Sequence, residues 1–464
     1  MALNRPSLSL LLYSALMWVA QPLLRRKLRR RGEREPGYRV AIEERFGRYA
    51  TPPWPDDGRT LWVHAVSLGE TRAAAVLLKE LRARWPDYRI LLTHGTATGR
   101  AEGAALLQSW GSESARRAAD SEASQDRNFV GRVGDAQLWQ PWDTPEAVRR
   151  FLRHVRPRLG LLMETEVWPN LSAACAEAQV PLVLVNARLS AKSLRNAQRL
   201  AWLARPAYRS LTAVHAQTED DAVRLASLGA PVRAVPGLSG RGWGNLKFDA
   251  RPDAVQLERA RAWRAALRRP VVMLASSREG EEAMLLRALQ DLDHDRRQAV
   301  TWLIVPRHPQ RFEEVAALIE GAGWRVARRS AWSDEGPRDQ ATAADVWLGD
   351  TLGEMALYYG MSSLALLGGS FAPLGGQNLI EAAACACPVF MGPHTFNFQE
   401  AATLAQEAGA ASRCADLPEA LDRALALLGH PVSAQAMVQA ATRFAQAHRG
   451  AAARTVQALA SYLD

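Results

Sequence analysis

The chain has 464 residues, a formal net charge of +10 and a hydrophobic content of 48%. That length is too great for one hydrophobic core, so two or more domains are expected, and the apolar content excludes a disordered chain. The basic balance favours acidic partners (nucleic acid, anionic lipid or a phosphorylated substrate), and the four cysteines, without CxxC spacing, exclude a disulfide framework and suit reduced, buried thiols of a cytoplasmic protein.

The first predicted element is the apolar, uncharged stretch Leu8–Leu24, followed at once by RRKLRRR (Arg25–Arg31). Its length is roughly the lower limit of a membrane span. The charge follows the apolar run, whereas a cleaved signal peptide carries its charge in front. Positive charge stays on the cytoplasmic side, so the rest of the chain is expected there. Gln21 and Pro22 weaken a full span, and a helix lying in the interface is the alternative. Either way the basic cluster suits anionic headgroups.

After the anchor, short apolar runs alternate with helix-like segments. LWVHAV, YRILLT, RLGLLM, PLVLV and LTAVHA lie in the first half; PVVMLA, TWLIV, SLALLGG and PVFMG lie in the second. Such alternation predicts parallel sheets built from βαβ units, here two Rossmann-like domains facing a cleft. The boundary falls near Gly237–Asp253, where Gly and Pro cluster. Ser109–Asp135, rich in Ser, Ala and charge, is expected to be an exposed, mobile insertion.

Ligands of α/β sheets sit where strands exit into loops. At the first such exit, HAVSLGET, Glu70 either caps the next helix or serves as a general base. At METEVWPN, Glu164 and Glu166 form a carboxylate pair of the kind that raises a pKa or organises positive charge. VNARLSAKS carries Asn186 and Arg188, and GNLKFD brings Lys247 near the domain junction. In IVPRHPQRF, Arg307 follows its strand between Pro306 and Pro309 and suits a phosphate. Gly349–Glu354 puts backbone amides at a helix start. In GGSFAPLGGQNLIEAA, Gly368, Gly369, Gly375 and Gly376 let the chain approach a ligand and present amides to it. Asn378 can cap the following helix. Glu381 either completes a capping box or accepts two hydroxyls of a ribose. DLDHD (Asp291–Asp295) resembles a metal-binding DxD but precedes its strand, so it reads as a solvated loop. No His/Cys cluster or phosphate-binding GxxxxGK[ST] loop is present.

Together HAVSLGET, METEVWPN, VNARLSAKS, GNLKFD, SREGEE, IVPRHPQRF, GDTLGE, GGSFAPLGGQNLIEAA and MGPHTFNFQE resemble, in order and over most of the chain, the 3-deoxy-D-manno-octulosonic acid (Kdo) transferases of lipid A assembly. The resemblance implies a GT-B fold with an N-terminal membrane-anchoring helix. It also implies inverting transfer of Kdo from CMP-Kdo to the lipid A precursor, with release of CMP, in lipopolysaccharide biosynthesis. It suggests an anchor over 1–34, an acceptor domain over 35–240 with the insertion at about 109–135, and a CMP-sugar domain over 241–464. Glu70 would be the proton acceptor, and Glu164 and Lys247 would stabilise the transition state. Pro306 and Arg307, Leu352, Gly353 and Glu354, and Asn378, Leu379, Ile380 and Glu381 would bind CMP. No metal or other cofactor is expected. The partners would be CMP-Kdo, an anionic glycolipid and the inner membrane on its cytoplasmic face, not nucleic acid. Arg278 and Gln377 stand where the family usually has His. A GT-B transferase using a UDP-sugar shares the glycine loop and ribose-binding Glu, and a membrane-bound nucleotide-sugar binder without turnover is the other alternative.

Overall fold

The apolar runs form two parallel sheets in the computed structural model, which describes residues 7–120, 134–237, 239–338 and 340–464. The first sheet contains β1 (Thr60–His64), β2 (Arg89–His94), β3 (Ala136–Trp139), β4 (Leu159–Met163), β5 (Leu182–Ala187) and β6 (Ala213–Ala216), in the order β3-β2-β1-β4-β5-β6. Its central strands are buried on both faces, which is why they read as unbroken apolar runs rather than alternating ones. Leu61 and Val63 face one way, towards Leu77 and Leu81. Trp62 faces the other, packing edge-on against Phe151 with ring centroids 4.9 Å apart. Trp62 fits because its register partner on β4 is Gly160, where a Cβ would lie 2.7 Å from the indole.

The second sheet contains β7 (Val271–Ser277), β8 (Thr301–Pro306), β9 (Val326–Arg328), β10 (Val346–Leu348), β11 (Leu364–Leu367), β12 (Val389–Met391) and β13 (Ala411–Arg413), in the order β13-β12-β11-β7-β8-β10-β9. Each sheet reverses its winding direction once: between β1 and β4 in the first, and between β7 and β11 in the second. Such switch points open a crevice at the strand ends.

The chain divides into Met1–Asp249 with Gly450–Asp464, and Ala250–Arg449. The first boundary therefore lies at Asp249 rather than at 240, and the last helix returns to the first unit instead of ending the second. The reason is apolar: Leu459 and Leu463 of the helix Ala451–Leu463 bury against the first sheet, each contributing about 1.5–3 kcal/mol. Asp249 accepts the amides of Gly450 and, at 2.6 Å, Ala452, which fixes the start of that helix.

The segment expected to be an insertion is helical in its first part, within the helix Ala97–Asp120. Residues 121–133 lie outside the described residues. Asp135, at its far end, is fastened: it accepts Arg82 and, at 2.8 Å, the amide of Ile90, the second residue of β2.

The N-terminal helix runs Leu8–Arg34. Among the described residues no single helix is long and apolar enough to cross a membrane. The halves Leu8–Val19 and Gln21–Arg34, bent by 49°, meet the test together. Pro22 lies just past the bend and has no amide for the Trp18 carbonyl. The helix is tied to the first unit by Ser14 and Asn170 at 2.8 Å and by Arg25 and Glu43 at 2.5 Å. Yet Leu16, Trp18, Val19 and Leu23 are each at least 65% exposed.

Candidate active site

In the first unit, the two strands flanking the switch point deliver acidic side chains. Ser67 caps the helix Leu68–Arg84 that leaves β1, and Glu70 is its third residue. The Glu70 carboxylate accepts the Val66 amide at 2.8 Å and the Ser67 hydroxyl at 3.1 Å. The capping role is therefore real, and it does not exhaust the side chain. Burial pushes the Glu70 carboxyl up to about 7; the charges of Glu164 and Glu166 add to the rise, against the Val66 and Ser67 hydrogen bonds.

Glu164 follows β4 directly and has a left-handed backbone, φ +57°, a conformation that costs a non-glycine residue about 1 kcal/mol. Backbone bonds hold it there: its amide donates to the Val185 carbonyl at 3.1 Å and its carbonyl accepts the Arg188 amide at 3.2 Å. Its carboxylate meets the Lys247 ammonium at 3.0 Å and the Arg188 guanidinium at 3.8 Å. Lys247 is delivered by Asn186, also left-handed at φ +51°, whose side-chain oxygen accepts the Leu246 amide at 3.0 Å. Strained residues at strand exits are a mark of functional sites.

Glu166 accepts the Trp168 indole N–H at 2.9 Å, and burial, then the charge of Glu164, raises its pKa. His64 stands 4.0 Å from it through Nε2. The His64 Nδ1 lies 3.0 Å from the Thr93 carbonyl, an obligate acceptor, so that nitrogen carries the hydrogen. Full burial pushes His64 down to about 3. It is neutral, and its Nε2 lone pair faces a carboxyl that burial already biases towards its protonated form. The structure thus gathers Glu70, Glu164 and Lys247 with Glu166, Arg188 and Asn186, the other candidates at these strand exits. His64 was missed as a site residue, although it opens HAVSLGET.

In the second unit, β7 and β11 flank the switch point. Gly368 is required there because the chain leaving β11 passes close to the end of β7; a Cβ would lie 2.4 Å from the Ser276 carbonyl. Gly369, Gly375 and Gly376 take left-handed φ values of +70°, +91° and +74°. Two of their amides do not face outward as expected: Gly369 N–H donates to Glu281 at 2.6 Å, and Gly376 N–H to the Gly369 carbonyl at 2.7 Å.

Asn378 caps the helix Leu379–Ala384 through the Ile380 amide at 3.2 Å. Asn378 and Glu381 are half-buried, whereas Leu379 and Ile380 are core residues. Pro306 is buried at the end of β8, and the Arg307 amide donates to the Ser277 carbonyl at 3.0 Å. The Glu354 carboxylate is held by Arg329 at 2.9 Å and by Thr351, so it braces its loop, while Leu352 is 70% exposed and Gly353 is left-handed. In DLDHD, Asp293 caps the short helix His294–Gln298. Among the described residues no group of three or more His, Cys, Asp or Glu has the geometry to hold a metal ion.

Residues 41–250 match the family described as 3-deoxy-D-manno-octulosonic-acid transferase (kdotransferase). A 3-deoxy-D-manno-octulosonic acid transferase of Bordetella pertussis is 47% identical over 95% of this chain and 96% of its own length. One of Haemophilus influenzae is 30% identical over 97% of this chain and 98% of its own. Among solved structures, UDP-GlcNAc 2-epimerase from Neisseria meningitidis, bound to UDP-GlcNAc, superposes with a TM-score of 0.54 at 15% identity, covering 87% of this chain and all of that one. That last likeness is one of fold, and the pair of parallel α/β units is of the GT-B class.

Proposed function

Because the chain belongs to the 3-deoxy-D-manno-octulosonic acid (Kdo) transferase family, and so transfers Kdo in lipopolysaccharide biosynthesis, we propose that its donor is CMP-Kdo and its acceptor the anionic lipid A precursor. The observation that carries the mechanism is Glu70, a carboxyl pushed up to about 7 by burial at the first switch point. A sugar hydroxyl is a poor nucleophile until a base takes its proton, and a base works best when its pKa lies near the working pH. Glu70 removes that proton as the acceptor oxygen bonds to the anomeric carbon of Kdo. The bond from that carbon to the phosphate oxygen breaks on the opposite face, and its electron pair leaves with CMP. The product is inverted. Glu164, held by Lys247 at 3.0 Å, steadies positive charge developing on the sugar.

The second unit takes the CMP moiety. Arg307 meets the charge that grows on the departing phosphate, and Glu381 accepts the ribose hydroxyls. We further propose that transfer needs no metal or other cofactor. The bent N-terminal helix, with its exposed Leu16, Trp18 and Val19 and its trailing arginines, anchors the protein on the cytoplasmic face of the inner membrane.

The test is a transfer assay: purified full-length protein in detergent, tetraacyl lipid A precursor, CMP-Kdo generated in situ and a chelator, read by mass spectrometry. Mass gains of whole Kdo units are expected. Folded protein that binds CMP and yields no Kdo product would overturn the donor and acceptor assignment.

A further inference from the structure

Glu281 and Glu282 open the helix Glu281–Gln290 that leaves β7, and both are fully buried. Their partners differ. Glu282 pairs with the Arg311 guanidinium at 2.7 Å and accepts the Ser277 hydroxyl at 2.6 Å. The bonds of Glu281 are to the backbone. Its Oε2 accepts the amides of Arg278 at 2.9 Å and Gly369 at 2.6 Å. Its Oε1 accepts those of Phe371 at 3.1 Å and Ala372 at 3.3 Å. Three of the four donors belong to the loop that leaves β11, so a side chain of the neighbouring strand's helix binds this loop as an internal anion.

The geometry is specific to a glutamate. Four N–H groups converge on two oxygens, two on each, which uses the full acceptor capacity of a carboxylate. A carboxamide has one oxygen, and its NH2 would face two of the donors. An aspartate is one methylene too short. Burial raises its pKa, and the four amides oppose that rise without cancelling it. The reach of this clasp extends beyond the atoms it touches. The carbonyl of Gly369, whose amide Glu281 holds, accepts the Gly376 amide at 2.7 Å. Two residues later comes Asn378, the cap of the helix that carries Glu381.

We propose that Glu281 is a positioning residue for donor binding: its carboxylate shapes the glycine loop from within and so sets where Asn378 and Glu381 meet the nucleotide. This rests on the reading that the Asn378–Glu381 segment takes the CMP moiety. It also means that the Gly369, Phe371 and Ala372 amides are spent on Glu281 and do not bind the donor phosphate.

The test uses full-length wild type and Glu281→Gln, with donor and acceptor varied separately. Glu281→Gln is expected to raise KM for CMP-Kdo about tenfold or more, with kcat within about threefold and acceptor KM unchanged. A loss that was merely structural would lower the active fraction and leave the donor KM alone. A donor KM within about twofold of wild type in folded Glu281→Gln would overturn the proposal. A second measurement needs no variant. In wild type, hydrogen exchange at Gly369, Phe371 and Ala372 is expected to be slow without CMP and unchanged by it. Fast exchange that CMP slows would overturn the proposal too, because the ligand rather than Glu281 would then be filling those amides. Failure of wild type to bind CMP would instead overturn the reading of the donor segment, and slow exchange at these amides would still report the clasp.

Discussion

Two carboxyls, half-buried Glu70 at one switch point and fully buried Glu281 at the other, are both raised by burial but meet different neighbours. Burial, and then the field of two further carboxylates, pushes the Glu70 carboxyl up to about 7, against one amide and one hydroxyl bond. Glu281 receives four amides, which oppose the rise that burial imposes on its carboxyl. Under the proposed mechanism, a glutamate in the first turn of the helix that follows the switch-point strand serves proton transfer in one unit and shape in the other. What differs is the neighbourhood: the charges of Glu164 and Glu166 add to the rise that burial gives Glu70, whereas four converging amides oppose it at Glu281.

Glu70→Ala should test the proton-transfer side most severely. Transfer is expected to fall by about 10²–10⁴, the usual worth of a general base, with CMP affinity unchanged in a calorimetric titration. Equal losses in both would make Glu70 structural and erase the contrast. Next is Lys247→Ala, which leaves the nearly buried Glu164 with the more distant Arg188. A drop in transfer of about tenfold or more and a loss of about 2 kcal/mol in chemical denaturation are expected. Glu381→Ala addresses the shape-tuned unit: CMP should bind about tenfold more weakly, for two lost hydroxyl contacts, while the pH profile of transfer keeps its midpoint.

The smallest effect is on stability. The Glu70 carboxyl binds its proton more tightly in the native chain than in the unfolded one, since its folded pKa of about 7 lies above the ordinary carboxylate value of 4.5. The stability this contributes is fully present below the ordinary value and is lost as pH rises through about 7. Glu70→Gln removes that penalty. The variant should be more stable than wild type at pH 8 by about 1 kcal/mol, and the advantage should vanish near pH 4. An advantage that does not change with pH would show that Glu70 is not held protonated by its surroundings.

Much of this contrast was legible in the sequence, and the illegible part has a physical reason. The strands beside both switch points are buried on two faces and stand out as apolar runs. β3, β9 and β13 lie at sheet edges, span three or four residues and include Gln or Arg, so neither period nor hydrophobicity marks them. The return of the last helix to the first unit depends on Asp249, about two hundred positions away, and on packing against residues nearly four hundred positions away, which no local pattern encodes. Glu70, Glu164 and Lys247 were legible because their words are distinctive. Glu281 stood in plain view in SREGEE, but only the fold reveals that four amides close on it. The nearest signal was a pair of glutamates at a helix start, which reads equally well as a complement to the helix dipole.

The most direct test of the account is the pH dependence of kcat/KM for Kdo transfer, in wild type and in Glu166→Gln. If Glu70 is a base held near neutrality by burial and by its carboxylate neighbours, activity rises with pH with a midpoint near 7 in wild type. The midpoint moves downward in Glu166→Gln, because one of the charges that raises it is gone. A profile without a rise through neutrality, or a midpoint indifferent to Glu166, would contradict it.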